Sequence, residues 1–255
     1  MSTWRNSVGK FRYRASPLVE ALCEFGFAPG AEWAPSVDVG LEDAFKSPYP
    51  QKKALTTIHT QVSVNEQGVQ QGVLQGQRIQ FIRDDGSAMV QIAPNTLTIN
   101  QLTPYNGWDS FRPTILQGLK KYRRVTAPSG ILRVHLRYIN RIELQGNMVE
   151  LDDWFEFSFR QPAMQELPGA AQYLVGARYP YDQHSLLKVE LSSAPGGEDF
   201  VASVLDLEYT VVGENVLKFE GVEAWLDVAH TRIEAAWIGS ITEKMHTKCE
   251  PEGIG

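Results

Sequence analysis

The period of apolar and polar positions changes several times along the chain. Pro17–Phe27 alternates, with Val19, Ala21, Cys23, Phe25 and Phe27 on one side and Glu20, Leu22 and Glu24 on the other. That is the period of a strand. Val37–Phe45 reads as a short helix, capped by Ser36 or Asp38 and stopped by Ser47-Pro48-Tyr49-Pro50. Leu55–Val64, Arg78–Arg83, Ala88–Ala93 and Thr96–Leu102 read as strands, and Asp84-Asp85-Gly86-Ser87 is a hairpin turn between the middle two. Gly72–Gly76 reads as a loop or bulge. Trp108, Phe111, Ile115, Leu119 and Tyr122 then recur at spacings of three and four, one buried stripe of a helix. Pro113 belongs in the first turn of that helix, which makes Asp109 or Ser110 its cap.

After Pro128-Ser129-Gly130 the order starts again. Ile131–Leu144 alternates, with Leu132, Val134, Leu136, Tyr138, Asn140, Ile142 and Leu144 against Arg133, His135, Arg137, Ile139, Arg141 and Glu143. Leu151–Phe159 reads as a short, acid-led helical stretch. Ala171–Tyr179, Leu186–Ser192 and Val201–Val212 read as strands. Phe219–Lys244 carries the longest stripe, from Phe219 and Val222 to Trp237 and Ile241. The residues after Met245 are polar and are expected to fray.

The pattern is strand, short helix, three or four strands, long helix, written twice. It divides one continuous globular domain into a first repeat over 1–128, a second over 129–245, and a flexible tail over 246–255. The fold class is α+β: one curved antiparallel sheet with four helices on one face. This element order resembles the duplicated, saddle-shaped fold of TATA-box-binding protein, and more loosely two helix-grip units side by side. Shorter motifs carry a second resemblance. Pro17-Leu18-x-Glu20-Ala21-x-x-Glu24-x-x-Phe27, Arg137-Tyr138-Ile139-Asn140-Arg141-Ile142, and Trp225, Leu226, His230, Ile233 and Trp237 running into Ile241-Thr242 are similar to a sporadically distributed bacterial protein family. That family implies no established activity.

Composition narrows the function classes. The chain has 255 residues, 43% hydrophobic and 21% charged, and a net charge of -6. Those are globular values, and the acidic total disfavours a general nucleic-acid binder. No apolar leader and no long apolar run is present, so neither a signal peptide nor a membrane span is expected. Cys23 and Cys249 read as free thiols of a cytoplasmic protein. His59, His135, His184, His230 and His246 show no metal-ligand spacing, and no cofactor motif appears, so neither metal nor cofactor is expected. His230 reads as a packed, hydrogen-bonded residue. Trp108, Trp154, Trp225 and Trp237 read as core. Asp206 and Glu208, with Lys188 and Glu190 on a neighbouring strand, read as a solvated sheet face.

The candidate binding face is Arg133, His135, Arg137, Arg141, Glu20 and Glu24. A guanidinium row offers fixed bidentate geometry to phosphate or carboxylate groups. A pseudo-dyad would instead put the two opening strands side by side at the sheet centre, with Glu20 and Glu24 facing the arginines. Two carboxylates leave cationic charge over. The expected function is a non-enzymatic binding or accessory protein that uses the open sheet face to hold a protein partner or itself. The alternatives are a nucleic-acid-binding saddle and a small-ligand or hydrolytic site between sheet and helices.

Overall fold

The computed structural model of the chain describes residues 11–28, 35–65, 68–146, 149–158 and 172–253. The strands are β1 (Phe11–Tyr13), β2 (Leu18–Phe27), β3 (Gln51–Asn65), β4 (Gly68–Ile82), β5 (Ala88–Ala93), β6 (Thr96–Leu102), β7 (Ile131–Gln145), β8 (Leu174–Pro180), β9 (Ser185–Ala194), β10 (Phe200–Val212) and β11 (Pro251–Gly253). The helices are α1 (Pro35–Phe45), α2 (Trp108–Thr126), α3 (Val222–Ser240) and α4 (Glu243–Lys248). Nine strands form one antiparallel sheet in the order β3-β4-β5-β6-β2-β7-β10-β9-β8. The order reads outward from a central pair, β2 and β7, which open the two halves of the chain. On each side the opening strand pairs with the last strand of its own half, β6 or β10.

The alternation read from sequence sets the two faces. In β7, Val134, Leu136, Tyr138, Asn140, Ile142 and Leu144 are buried, while the residues between them keep some exposure. The buried face of β2 is Ala21, Cys23, Phe25 and Phe27. On the same side of the sheet α2 packs by β6, burying Phe111, Ile115, Leu119 and Tyr122, and α3 packs by β7 and β10, burying Leu226, Ala229, Ile233 and Trp237. The stack of Phe27 on Tyr122, 4.8 Å between ring centroids, ties strand to helix. α1 lies beside α2, and α3 crosses β7, β10 and β9.

Several expectations change. Gly72–Gly76 lies inside β4, whose backbone pairs with β3 without a break in register. α2 begins at Trp108, so neither Asp109 nor Ser110 is its cap. Gly107 takes that place at φ 88°, a conformation open to a residue without Cβ. Pro113 is therefore its sixth residue, beyond the first turn. Leu151–Phe159 holds only a 3-10 turn at Leu151–Asp153. The terminal helix is divided at Ile241, which bridges to Phe155, and the Thr242 hydroxyl accepts from the Met245 N–H to start α4. Phe159, Ala171 and the last two residues lie outside the described residues.

The expected fraying after Met245 is corrected through residue 253. α4 runs to Lys248, Cys249 is buried, and β11 pairs with β1. The Tyr13 hydroxyl meets His246 Nδ1 at 3.1 Å, and Tyr13 packs edge-on against Trp237. The polar composition of the tail hid this because its partners stand more than two hundred residues earlier in the chain.

Candidate functional site

The face of the sheet opposite the helices carries the candidate residues. Register fixes their neighbours: Glu24 stands opposite His135, Leu22 opposite Arg137 and Glu20 opposite Ile139. On the other flank of β7, Thr210 stands opposite His135, Glu208 opposite Arg137 and Asp206 opposite Ile139. Directly opposed residues share a face, so Asp206 and Glu208 point to the same side as the arginines.

Arg133 pairs with Glu24 at 2.6 Å. Glu24 also accepts from the Thr98 hydroxyl at 2.9 Å and lies 3.9 Å from Arg78. Among the described residues Glu20 forms no close ion pair with an arginine: it accepts from Asn100 Nδ2 at 2.5 Å, and its charge acts on Arg137 only at longer range. Arg137 makes its hydrogen bonds on the other flank. Its Nε and Nη2 donate to the two oxygens of Asp206 at 2.7 and 3.0 Å, and Lys188 Nζ donates to the same carboxylate at 2.5 Å. Glu208 flanks both cations at 3.9 and 4.0 Å and accepts from Thr210. Arg141 pairs with Glu143 on its own strand and donates to the Pro195 carbonyl.

The reading of Asp206 as solvated is therefore corrected: it is 5% exposed, and Asn100 on the same face is 1% exposed. Burial pushes the Asp206 carboxyl up, but the hydrogen bonds and charges of Arg137 and Lys188 more than offset this and hold it below the ordinary aspartate range. Burial lowers the pKa of His135, against the opposing pull of Glu208 and Glu24. The shift favours the neutral imidazole, the form that adds no cation to the row. The leftover cationic charge expected from sequence is absorbed by Asp206, Glu208 and Glu143. Each arginine of the row has a carboxylate partner, so the face is a mixed-charge layer and no bare anion groove. Asp206, Lys188, Asn100 and Thr98 were missed as members of the network. The signal for Asp206 was the alternation Leu205-Asp206-Leu207-Glu208, which puts two acids on one face of a strand.

Beneath the sheet a second titratable group gathers between α2, α3 and β7. His230 is stacked on Trp108 with 4.2 Å between centroids, and its Nε2 lies 3.6 Å from Glu234 on the next turn. The Tyr138 hydroxyl, next to it, shares a 2.7 Å hydrogen bond with Tyr105. Burial drives His230 down to about 4 and Glu234 up to about 7. His230 is packed as expected, but on a ring; Glu234 was not singled out by sequence. His230, Glu234, Tyr138 and Tyr105 together make a partly buried polar cluster. Both thiols are also buried, and burial lifts Cys249 to about 12, so neither is activated.

Among the described residues no group of His, Cys, Asp or Glu could hold a metal ion, and no helix is long and apolar enough to cross a membrane. No protein-family model and no curated protein matches this sequence.

Proposed function

We propose that the chain is a non-enzymatic binding protein whose open sheet face holds a protein partner. The observation that supports this is the face itself: a broad antiparallel surface with α1–α3 on its other side and the charges of its central strands already paired. A surface of alternating, balanced charges suits another protein surface by complementarity and register. A nucleic-acid saddle needs unpaired cations for counterion release, and minor-groove wedges need exposed aromatics. The open-face positions of the central strands carry Leu22 and Ile139 between charged residues instead.

The test is a pull-down from native extract with wild type and the Arg133→Gln/Arg141→Gln variant, with and without nuclease. A protein that stays bound after nuclease and is lost with the variant, at unchanged melting temperature, supports the proposal. Nucleic acid as the sole bound species, or nothing bound to wild type, overturns it.

One observation favours a second reading, a small-ligand site. A cavity of about 390 Å³ between α3 and the β8–β9 edge is lined by Phe157, Leu187, Val189, Ala236 and Arg232. The Arg232 guanidinium lies 3.6 Å over the Tyr181 ring and beside Tyr209. The lining also includes Glu156 and Ser240, and a mixed pocket that sets one fixed cation beside an acid fits a small polar ligand. A bound mass in native mass spectrometry that disappears in Arg232→Met would carry this reading.

A further inference from the structure

We propose that two copies of the chain join edge to edge along β8, merging their nine-stranded sheets into one. β8 is the terminal strand on its side of the sheet. An unpaired edge is a template for another strand, and proteins blunt it where association is harmful. Here the edge keeps large apolar side chains in water: Leu174 is 67% and Tyr179 is 52% exposed.

The backbone shows which groups are free. The Tyr181 N–H donates to the Ser185 carbonyl at 2.9 Å, and the Ser193 N–H donates to the Tyr173 carbonyl at 3.0 Å. The register of β8 on β9 is unbroken between those points. Odd-numbered residues of β8 therefore turn their polar groups inward. Leu174, Gly176 and Arg178 turn theirs outward, together with the carbonyl of Pro180, which has no N–H.

An antiparallel pair of β8 strands centred on Ala177 satisfies these groups and matches the side chains. Gly176 stands opposite Arg178 of the second copy, and each such pair exchanges two hydrogen bonds. Leu174 stands opposite Pro180 and donates one. Two-fold symmetry brings the total to about six. Ala177 faces its own copy at the close, non-hydrogen-bonded position, where Cα atoms approach to about 4.5 Å and a small side chain fits. Val175 packs on Tyr179, and Leu174 on Pro180.

Charge gives the pairing its direction. Within one chain Arg178 stands in register with Lys188, a like charge, and Lys188 is committed to Asp206. Glu190 stands in register with Gly176, whose missing side chain leaves the acid uncovered on the edge side; a Cβ there would lie 3.3 Å from Glu190 Cγ. Among the described residues neither Arg178 nor Glu190 has an ion pair. The second copy places Arg178 over Gly176, in reach of Glu190, and symmetry repeats the contact. Opposed residues share a face, so the two open faces also become continuous.

A seven-residue edge lies at the low end of specific interfaces, below roughly 1,200 Å². The dimer is therefore expected to form in the micromolar range. Sedimentation equilibrium of the full chain, from about 1 to 200 μM, tests this with three proteins. Wild type should dimerise, Arg178→Glu should be monomeric, and the charge exchange Arg178→Glu/Glu190→Arg should restore the dimer, all at similar melting temperatures. A monomeric wild type at the highest concentration overturns the proposal. So does a wild-type dimer that Arg178→Glu leaves intact, since that dimer uses another surface.

Discussion

Replacing Asp206 by Asn removes one charge from the open face without changing its volume. In the native protein the carboxylate holds three charged hydrogen bonds, two from Arg137 and one from Lys188. Breaking a buried ion pair by removing one partner costs about 3–5 kcal/mol, because the other charge stays buried. Here Arg137 is 35% exposed and Lys188 18%, so water re-solvates much of what is stranded. We therefore expect a loss of about 2–3 kcal/mol, or roughly 5–10 °C in melting temperature at this chain length. Arg137→Met should cost less, about 1–2 kcal/mol, because Lys188 stays on Asp206. The decisive number is the coupling in a double-mutant cycle from urea unfolding, expected at about 1.5–2 kcal/mol. A coupling below about 0.5 kcal/mol would class the pair with exposed salt bridges and refute the reasoning. The pH dependence has a definite sign. The folded pKa of Asp206 is depressed, so its contribution is whole above the ordinary value of 3.8 and is lost as pH falls through the lower folded value. The gap between wild type and Asp206→Asn should close over that window.

Four other outcomes follow from the same geometry. Glu234 is raised from 4.5 to about 7, which makes stability fall as pH rises through that window. His230 is lowered from 6.5 to about 4, which makes it rise. The two slopes cancel between pH 4.5 and 6.5, and Glu234→Gln should uncover the rise from His230 in pH-dependent melting. A Cβ on Gly118 would lie 2.1 Å from Ile99 Cδ1, so Gly118→Ala should cost about 1–3 kcal/mol by overpacking, and adding Ile99→Val should return part of it in thermal unfolding. Deleting residues 250–255 removes the β1–β11 pairing and the Arg14–Glu252 contact, and should lower the melting temperature by several degrees; no change would mean the clasp is idle. Both thiols should react with Ellman's reagent only after denaturation, because Cys23 is fully buried and Cys249 nearly so.

The faces of β7 and of β2 from Ala21 onward were legible because period two is written into each strand and one side of each is apolar; Val19, expected inside, is 36% exposed because the register shifts between Leu18 and Glu20. The pairing of Arg137 was not. It depends on which strand lies beside β7, and β10 begins more than fifty residues later, so no local pattern reports the neighbour. Repetition held the missing clue: if β6 returns to β2 in the first half, the corresponding strand returns to β7 in the second and brings Asp206 to Arg137. Glu234 was hidden differently. It sits four residues from His230 on a helix, and nothing in the local pattern marks it; its burial comes with the packing around His230, on which α2 lays Trp108. Burial of a polar residue comes from what crosses it, and crossing is a property of the assembled layers.

The same distribution of burial separates what the open face does for the fold from what it offers a partner. At its middle the Asp206 side chain is 6% exposed and enclosed by cations, so substitutions there act on stability. At its ends Arg133 is 47% and Arg141 32% exposed, each held by one close carboxylate. The two arginines lie eight residues apart on β7, about 27 Å along the strand. A protein partner on this face therefore has to span that length to touch both. Arg133→Gln and Arg141→Gln should each weaken capture of the partner while moving melting temperature by less than about 2 °C, since exposed pairs contribute under about 1 kcal/mol. Asp206→Asn should do the reverse, lowering the melting temperature and leaving capture intact below it. If Asp206→Asn abolishes capture while the protein is still folded, the buried middle is itself the contact, and the division between a structural centre and recognising ends is wrong.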